Sequence, residues 1–245
     1  MQQTSAPKIA LVTGASRGIG SAIAEALARE GYRLYLTCKS SEADLTQVSN
    51  HLSDTYHVEC TPILADMGDL PSVNRLFSQI PDLTLLVNNA GVSHIGLLHE
   101  MSPEEWQNLM NVNLNALFYT CRLAVPMMLK RHAGKIINIS SVWGNAGASM
   151  EVAYSASKGG VNAFTKALAK ELAPSGIQVN AIACGVIDTQ MNHSLSMEDM
   201  EILRGEIPAD RIGQPGEVAD LLLSLLHAPS YLTGQIITLD GGWQA

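Results

Sequence analysis

The sequence has few charged and few aromatic residues, which limits the classes of protein it can belong to. Of its 245 residues 16% are charged and 5% aromatic, whereas 47% are hydrophobic. Soluble domains carry about 25% charged residues on average, so this chain has more apolar surface to bury than is usual. We expect a second copy of the chain to cover part of it.

Positive charge is also scarce. The chain has 15 Lys and Arg residues against 23 Asp and Glu residues, a net charge of −8, and no basic cluster longer than Lys130-Arg131-His132. DNA, RNA and anionic membranes are bound through clustered cations that neutralise phosphate. The sequence therefore predicts no nucleic-acid partner and no membrane partner.

Cysteine pairs and long apolar runs are lacking as well. The four cysteines form no CxxC pair and have no metal-ligand spacing, so neither a disulfide framework nor a metal site is predicted. No apolar signal segment precedes the first strand, and the most apolar helical stretch, residues 218–226, is short and contains Asp220. We expect a reduced, cytoplasmic protein.

Short apolar runs alternate with longer amphipathic stretches along the chain. The predicted strands cover residues 8–13, 33–38, 58–64, 83–88, 135–140, 178–183 and 235–239, and the predicted helices cover 19–30, 42–52, 72–79, 103–114, 116–131, 153–172 and 216–226. Continuous apolar strands are typical of parallel sheets with helices on both faces. No repeat or linker interrupts the pattern, so we predict one α/β domain over residues 1–245, with a doubly wound parallel sheet of seven strands.

Residues 185–214 form the one long stretch without strong periodicity, and only residues 197–204 within it are weakly helical. A loop of this length inside a compact domain usually has a function. We predict that it forms a lid over a binding site.

The first predicted strand leads into a glycine-rich turn, and a helix follows directly. The turn contains Gly14, Ser16, Arg17, Gly18, Ile19 and Gly20. Glycines at such a junction let the backbone approach a pyrophosphate, whose charge is held by the free N–H groups at the helix N-terminus. The turn predicts a dinucleotide site, with a tight turn that binds nothing as the alternative.

The residues after the second predicted strand bear on which dinucleotide is bound. An NAD site commonly has Asp or Glu there to bond the ribose 2′-hydroxyl, whereas a 2′-phosphate is accommodated by a cation. This chain has Lys39 and Ser40 at that place and Arg17 in the glycine turn. We predict NADPH or NADP in preference to NADH; if Lys39 is only a surface lysine, the preference stays open.

Tyr154 and Lys158 lie four residues apart at the start of a predicted helix, so their side chains share one helix face. A free phenol has a pKa of about 10, and a neighbouring ammonium group favours the phenolate. Ser141, at the end of the preceding strand, has a hydroxyl that can bond a substrate oxygen. A Tyr-x-x-x-Lys pair by itself usually occurs by chance on the surface of a helix. It indicates a catalytic function only in combination with the motifs around it.

Together these motifs resemble the short-chain dehydrogenase/reductase family over the whole chain. They are Thr13-Gly14-x-x-x-Gly18-x-Gly20, Asn88-Asn89-Ala90-Gly91, Asn113, Ser141, Tyr154-x-x-x-Lys158, and Thr233-Gly234 with Asp240-Gly241-Gly242. The resemblance implies a Rossmann-type fold and a catalytic tetrad of Asn113, Ser141, Tyr154 and Lys158. Tyr154 would protonate a carbonyl held by Ser141 as hydride arrives from the nicotinamide. Lys158 would lower the Tyr154 pKa and bond the nicotinamide ribose, and Asn113 would hold a water that returns the proton through Lys158.

The same resemblance implies further cofactor contacts. Asn88, Ala90 and Gly91 would border the adenosine ribose, Asp66 the adenine edge and Thr189 the nicotinamide carboxamide, and the cofactor-binding set also includes Met67, Gly185 and Ile187. Relatives commonly form tetramers of 222 symmetry through the helices at 113–131 and 153–174, so we expect a homotetramer.

Within the family, the segment at 136–141 and the Gly-Gly tail are most similar to bacterial 3-oxoacyl-acyl-carrier-protein reductases. Pro174-Ser175-Gly176 and His132 stand where those reductases often have basic residues that help dock the acidic carrier, and Cys184 stands where the family usually has proline. The segment around Trp143 also resembles a side branch that includes reductases of the 5-aminopentanone group on elongation factor P.

Three residues near the expected pocket have more than one interpretation. His94 is either a pocket residue or a loop histidine, Trp143 is packed core, substrate wall or both, and Met191 belongs either to an adaptable rim or to ordinary packing. Cys184 has no cationic neighbour in the sequence, which favours a structural thiol.

Three functions follow from these patterns. The first is an NADPH-dependent reductase of a 3-oxoacyl thioester or similar ketone, and the second is the reductase of 5-aminopentanone on elongation factor P. The third is a non-catalytic dinucleotide-binding sensor, which the intact tyrosine and lysine disfavour.

Overall fold

The side chains of one strand, β1 (Ile9–Thr13), divide between two apolar cores. Ala10 and Val12 pack into one core, and Ile9 and Leu11 into the other, because successive side chains of a strand point to opposite faces of its sheet. The computed structural model describes residues 8–192 and 196–244. It has one sheet of seven parallel strands between these two cores, as predicted.

The strand order is β3-β2-β1-β4-β5-β6-β7. The remaining strands are β2 (Arg33–Cys38), β3 (Cys60–Leu64), β4 (Leu85–Asn88), β5 (Gly134–Ser141), β6 (Ile177–Cys184) and β7 (Ile236–Leu239). The chain builds outward from β1 to β3 and then crosses to β4, which pairs with the other side of β1. In open parallel sheets this reversal leaves a crevice at the carboxyl ends of the two central strands.

Three main helices cover each face of the sheet. One core includes residues of α1 (Gly18–Arg29), α2 (Glu42–Tyr56) and α9 (Pro215–His227), and the other includes residues of α3 (Leu70–Phe77), α5 (Ala116–Arg131) and α7 (Val152–Leu172). Three further helices are α4 (Pro103–Met110), α6 (Trp143–Ala146) and α8 (Met197–Glu206).

The predicted helices are confirmed with two notable differences in length. The helix predicted over 42–52 continues to Tyr56 and ends at His57, which adopts a left-handed φ of 56°. The helix predicted over 103–114 ends at Met110, and one π turn (Asn111–Asn115) joins it to α5. A π turn cannot be read from hydrophobic periodicity, and such turns are frequent at functional sites.

The two ends of the predicted lid, residues 185–214, are hydrogen-bonded to each other. Ile187 and Gly213 form a parallel bridge, with hydrogen bonds from Gly213 N to Val186 O (3.0 Å) and from Asp188 N to Gly213 O (2.8 Å). The helix α8 lies between these ends, and residues 193–195 lie outside the described part of the chain. No helix in the described ranges is long and apolar enough to cross a membrane.

Candidate active site

A cleft of about 890 Å³ opens where the carboxyl ends of β1 and β4 lie side by side. Ligand pockets commonly have volumes of about 300–1,000 Å³. Most predicted site residues line this cleft: Gly14, Ser16, Arg17, Gly18, Ile19, Gly20, Lys39, Ser40, Asp66, Met67, Ala90, Gly91, Ser141, Trp143, Tyr154, Lys158, Gly185, Ile187, Thr189 and Met191. Asn88, His94 and Asn113 are not among the described residues that line it.

The glycine turn has the shape that a pyrophosphate requires. Gly14 and Gly18 have φ values of 66° and 56°, in the left-handed region that favours glycine. A Cβ on Gly20 would lie 2.1 Å from the Gly14 carbonyl oxygen, so only glycine fits there. Arg17, the N-cap residue of α1, makes no side-chain cap, which leaves the first N–H groups of the helix for an anion.

Hydrogen bonds from the end of β4 hold this turn in place. The Asn89 amide donates to the carbonyls of Thr13 (2.9 Å) and Gly14 (3.0 Å), while Thr13 Oγ1 accepts from the backbone N–H groups of Asn89 and Ala90, each at 3.0 Å. Asn89 therefore positions the glycine turn. The sequence alone does not show which of the two adjacent asparagines, Asn88 or Asn89, positions the turn.

The Asn88 side chain does not reach the cleft, which corrects the expectation that it borders the adenosine ribose. It is 4% exposed; its Nδ2 donates to Asn138 Oδ1 (2.9 Å), and its Oδ1 accepts from Thr120 Oγ1 (2.8 Å). Asn138 in turn donates to Thr165 Oγ1 (2.9 Å). The reason is strand alternation: Asn88 faces the core, where its polar atoms join β4 and β5 to α5 and α7.

The end of the cleft that follows β2, where the sequence predicts the ribose end of the site, holds two cations in different situations. Arg17 Nη1 donates to the neutral Ser41 hydroxyl at 3.1 Å, whereas Lys39 Nζ forms an ion pair with Asp66 Oδ2 at 2.8 Å. Burial acts to raise the pKa of Asp66, but hydrogen bonds from Lys39 and the Gly68 N–H outweigh it and hold that pKa below its usual value. Asp66 is therefore charged and paired, and Arg17 has no acidic partner among the described residues.

The end of β5 and the start of α7 bring a hydroxyl, a phenol and an ammonium group together. Tyr154 shares a side-chain hydrogen bond with Ser141, whose Oγ also accepts from the Trp143 N–H at 3.2 Å. Lys158 Nζ donates to the Ile139 carbonyl at 2.9 Å and lies 5.6 Å from the centre of the Tyr154 ring. This arrangement can hold a carbonyl oxygen and give it a proton.

Burial decides the charge states of these groups. It raises the pKa of Tyr154 above its usual value, and the hydrogen bond with Ser141 offsets this only in part. Burial lowers the pKa of Lys158 to about 8. From the sequence, we expect Lys158 to lower the pKa of Tyr154. In the structure the pKa of Tyr154 is raised instead, because desolvation of the phenolate dominates. Tyr154 is a neutral phenol, the form that can donate a proton.

Asn113 lies in the π turn and is 1% exposed. Its Nδ2 donates to Val92 O (2.9 Å) and Ser157 Oγ (3.1 Å), and its Oδ1 accepts from Val92 N (2.8 Å). Both amide protons are therefore used within the protein. A Cβ on Gly91 would lie 3.5 Å from Asn113 Oδ1 and 3.6 Å from Lys158 Nζ, so these two groups flank the same glycine.

Two tryptophans form part of the wall of the cleft. Trp143 and Trp243 pack edge to face with ring centroids 4.8 Å apart, and both line the cleft together with Glu151 and Met191. Glu151, the N-cap residue of α7, shares a side-chain hydrogen bond with Trp143. Sequence patterns did not indicate Trp243 or Glu151, because only the packed fold brings the C-terminal tail against α6.

His94 lies outside the lining, which favours its interpretation as a loop histidine. Its Nε2 would be 3.1 Å from a Cβ on Gly96, so the ring rests against its own loop. At the glycine turn, a Cβ on Gly18 would lie 3.2 Å from Thr189 Cγ2. The first residues of the predicted lid therefore already approach the glycine turn.

Cys184 ends β6 and lines the cleft at 5% exposure. Burial raises the pKa of its thiol to about 12, although Lys158 acts in the opposite direction. The cationic neighbour was not visible in the sequence, yet the thiol stays protonated, as expected of a structural cysteine. No cluster of three or more His, Cys, Asp or Glu side chains in the described ranges could hold a metal ion.

Residues 8–199 match the short chain dehydrogenase family. The chain belongs to this family. The 3-oxoacyl-acyl-carrier-protein reductase FabG of Aquifex aeolicus is 40% identical over 240 residues, which cover 96% of each chain. A protein of Bacillus subtilis described as the uncharacterized oxidoreductase YmfI is 39% identical over 238 residues, which cover 96% of this chain and 98% of that one.

Two solved structures of ketone reductases share the fold. An actinorhodin polyketide ketoreductase variant, crystallised with NADPH, superposes with a TM-score of 0.92 at 33% identity, covering 97% of both chains. The 3-oxoacyl-acyl-carrier-protein reductase of Brucella melitensis superposes with a TM-score of 0.91 at 34% identity, covering 97% of this chain and 91% of that one.

As a short chain dehydrogenase, the chain is an oxidoreductase that acts on ketone or hydroxyl groups and binds a nicotinamide dinucleotide. Membership and these relatives set aside the non-catalytic sensor. The glycine turn, the uncapped N-terminus of α1 and the ribose-end cations fit the phosphates of such a cofactor.

Proposed function

We propose that this short chain dehydrogenase uses NADPH to reduce a ketone of the 3-oxoacyl thioester type, with Tyr154 as the proton donor. The observation that carries the proposal is the neutral Tyr154 phenol, hydrogen-bonded to Ser141 and 5.6 Å, ring centre to Nζ, from the Lys158 ammonium. The relatives named as 3-oxoacyl reductases support the type of ketone, and the NADPH complex of a related ketoreductase supports the cofactor.

NADPH supplies a hydride to the carbonyl carbon when it is bound. The Ser141 hydroxyl bonds the carbonyl oxygen, and Tyr154 transfers its proton to the same oxygen, so that an alcohol and a phenolate result. Lys158 then returns a proton to the phenolate and is itself reprotonated from solvent. Both amide protons of Asn113 are donated to groups of the protein. Asn113 would therefore hold the water that returns the proton through an acceptor oxygen.

The remaining predicted residues bind and enclose the cofactor in this proposal. The N-terminus of α1 takes the pyrophosphate, and Arg17 with Lys39 and Ser40 takes the 2′-phosphate. Thr189 bonds the nicotinamide carboxamide, and the described parts of the lid, residues 185–192 and 196–214, close over the cleft. The approach of Thr189 to Gly18 supports this assignment of the lid.

Replacing Tyr154 with phenylalanine tests the proposal. General acid catalysis contributes about 10²–10⁴-fold, so Tyr154→Phe should lower kcat/KM for acetoacetyl thioester reduction by that factor. NADPH binding, followed by nicotinamide fluorescence, should persist because the phosphate contacts are intact. Tyr231→Phe, at a side chain that is 97% exposed, is the matched control. Unimpaired turnover by Tyr154→Phe would contradict the proposal.

One observation favours the second candidate, reduction of the 5-aminopentanone group on elongation factor P. The basic residue nearest to the expected carrier dock, Arg131, is engaged by Asp82, with Arg131 Nε donating to Asp82 Oδ1 at 2.8 Å. It is therefore not free to attract an acidic carrier protein. Mass spectrometry of elongation factor P from cells lacking this reductase tests the candidate, since an unchanged modification mass excludes it.

The homotetramer remains a proposal that rests on exposed apolar side chains. Phe118 on α5 is 53% exposed and Val152 on α7 is 43% exposed. They lie on the two helices whose pairing between copies the family resemblance implies. Pairing of these helices between copies would cover them.

A further inference from the structure

Asn162 on α7 is a buried polar residue that the proposed mechanism does not use. It is 5% exposed and lies one helical turn after Lys158, on the same face of the helix. Its Oδ1 accepts from Ser140 Oγ at 2.6 Å, and its Nδ2 donates to Asn145 Oδ1 at 2.9 Å. Ser140 directly precedes Ser141 on β5, and Asn145 belongs to α6. Asn162 therefore joins β5, α6 and α7 through its side chain.

The three elements meet at the turn of α7 that begins at Lys158. Ser140 Oγ lies 3.5 Å from the Lys158 carbonyl oxygen. A Cβ on Gly144 of α6 would lie 2.7 Å from both the carbonyl carbon and the carbonyl oxygen of Lys158, and 2.9 Å from Asn162 Nδ2. Only glycine permits so close an approach of two backbones. The backbone of α6 therefore rests directly on the part of α7 that carries Lys158.

The same contacts bear on the groups that the proposed reaction needs. Ser141 ends β5, whereas Tyr154 and Lys158 belong to α7, so their separation depends on how the strand and the helix are held together. A misplacement of about 1 Å can lower a reaction rate about 100-fold. A buried hydroxyl and a buried amide are costly to separate, because each would lose its partner away from water. The Ser140–Asn162 hydrogen bond therefore restrains this separation.

We propose that Asn162 is a positioning residue for the ketone reduction. Through its two hydrogen bonds it holds the end of β5 and the helix α6 against the turn of α7 that carries Tyr154 and Lys158. The inference rests on the proposed function. Asn162 is not among the described residues that line the cleft, so it acts on the reaction only through the groups that it holds.

Asn162→Ala removes both hydrogen bonds, and the single-turnover rate of NADPH oxidation with an acetoacetyl thioester measures the effect on the chemical step. The rate should fall at least about tenfold, because Ser141 and Tyr154 lose their fixed separation. KM for NADPH should stay within about twofold, because the glycine turn is untouched. Ser140→Ala breaks the same bond from the β5 side. The double variant should be no slower than the slower single variant, as expected of two groups that act as a pair.

The same strand and helix provide a matched control. Asn138 Nδ2 donates to Thr165 Oγ1 at 2.9 Å, which also joins β5 to α7, but about one turn further along the helix from Lys158. Thr165→Val keeps the shape of the side chain and removes this bond. It should lower the midpoint of thermal unfolding by a few degrees, as Asn162→Ala does, yet leave the single-turnover rate within about twofold.

Hydrogen exchange provides a readout that does not need turnover. The Trp143 N–H donates to Ser141 Oγ at 3.2 Å, and the Val142 N–H to the Cys184 carbonyl at 3.0 Å. Amides of residues 141–146 should exchange at least about tenfold faster in Asn162→Ala than in Thr165→Val, because α6 has lost its hydrogen bond to α7. Equal exchange in the two variants would overturn the inference.

The outcomes separate this inference from the proposed function. If Asn162→Ala slows the single turnover no more than Thr165→Val does, the inference is overturned and ketone reduction stands. If the intact, folded protein oxidises no NADPH with acetoacetyl thioesters or simple ketones, the proposed function fails and the inference fails with it. Should Asn162→Ala not fold, Asn145→Ala decides at an exposed position: a fall of about threefold supports the inference, since water replaces the lost acceptor only in part, and an unchanged rate overturns it.

Discussion

Arg17 should determine the preference for NADPH, because the other cation at the ribose end is already occupied. Lys39 Nζ pairs with Asp66 at 2.8 Å, whereas the Arg17 guanidinium bonds only the neutral Ser41 hydroxyl at 3.1 Å. A 2′-phosphate can therefore engage Arg17 without breaking an ion pair. It has to compete with Asp66 for Lys39.

The size of the effect follows from the exposure of Arg17. A hydrogen bond to a charged group contributes about 1.5–3 kcal/mol. Arg17 is exposed, so solvent screening reduces its contribution to about 1 kcal/mol. Since about 1.4 kcal/mol corresponds to a factor of ten, Arg17→Gln should raise KM for NADPH about fivefold. KM for NADH and both kcat values should stay within about twofold, because NADH has no 2′-phosphate.

Initial rates with NADPH and NADH at saturating ketone measure this preference. The difference between the two cofactors should shrink as salt is added, since exposed charge interactions are screened. Arg29→Gln is the matched control, because it removes the same charge at the far end of α1, where Arg29 contacts Glu25. Equal increases of KM for NADPH and NADH in Arg17→Gln would refute the assignment of Arg17 to the 2′-phosphate.

Three further predictions concern the relay, the glycine turn and the assembly. With the Lys158 pKa lowered to about 8, kcat for reduction should fall as pH rises through 8, because a neutral amine cannot return the proton to the phenolate after each turnover; a flat profile of kcat against pH argues against the relay. Gly20→Ala should cost about 1–3 kcal/mol in thermal unfolding and abolish NADPH binding, since its Cβ would collide with the turn, whereas Gly216→Ala, in open space, should do neither. Phe118→Glu should dissociate the homotetramer expected in light scattering, and Tyr231→Glu should not; a monomeric parent protein would contradict the assembly.

Much of the fold could be predicted because its signals are local. The apolar runs, the helix caps and the glycine turn depend on residues that are close in the chain, and all seven strands formed within three residues of their predicted bounds. The pairing of Tyr154 with Lys158 on one helix face is equally local. The π turn after Met110 could not be predicted from the sequence, because it changes the backbone hydrogen-bonding pattern without changing the hydrophobic periodicity.

The sequence by itself determined the parallel α/β fold and the dinucleotide turn, since each depends on spacing along the chain, and its resemblance to the family indicated the catalytic residues that we propose. Only the tertiary structure decided which polar groups meet. It turned Asn88 into the core, paired Lys39 with Asp66, engaged Arg131 with Asp82 and brought Trp243 against Trp143 beside Glu151. These contacts join residues from separate elements, so their geometry and burial exist only after the sheet and helices have packed.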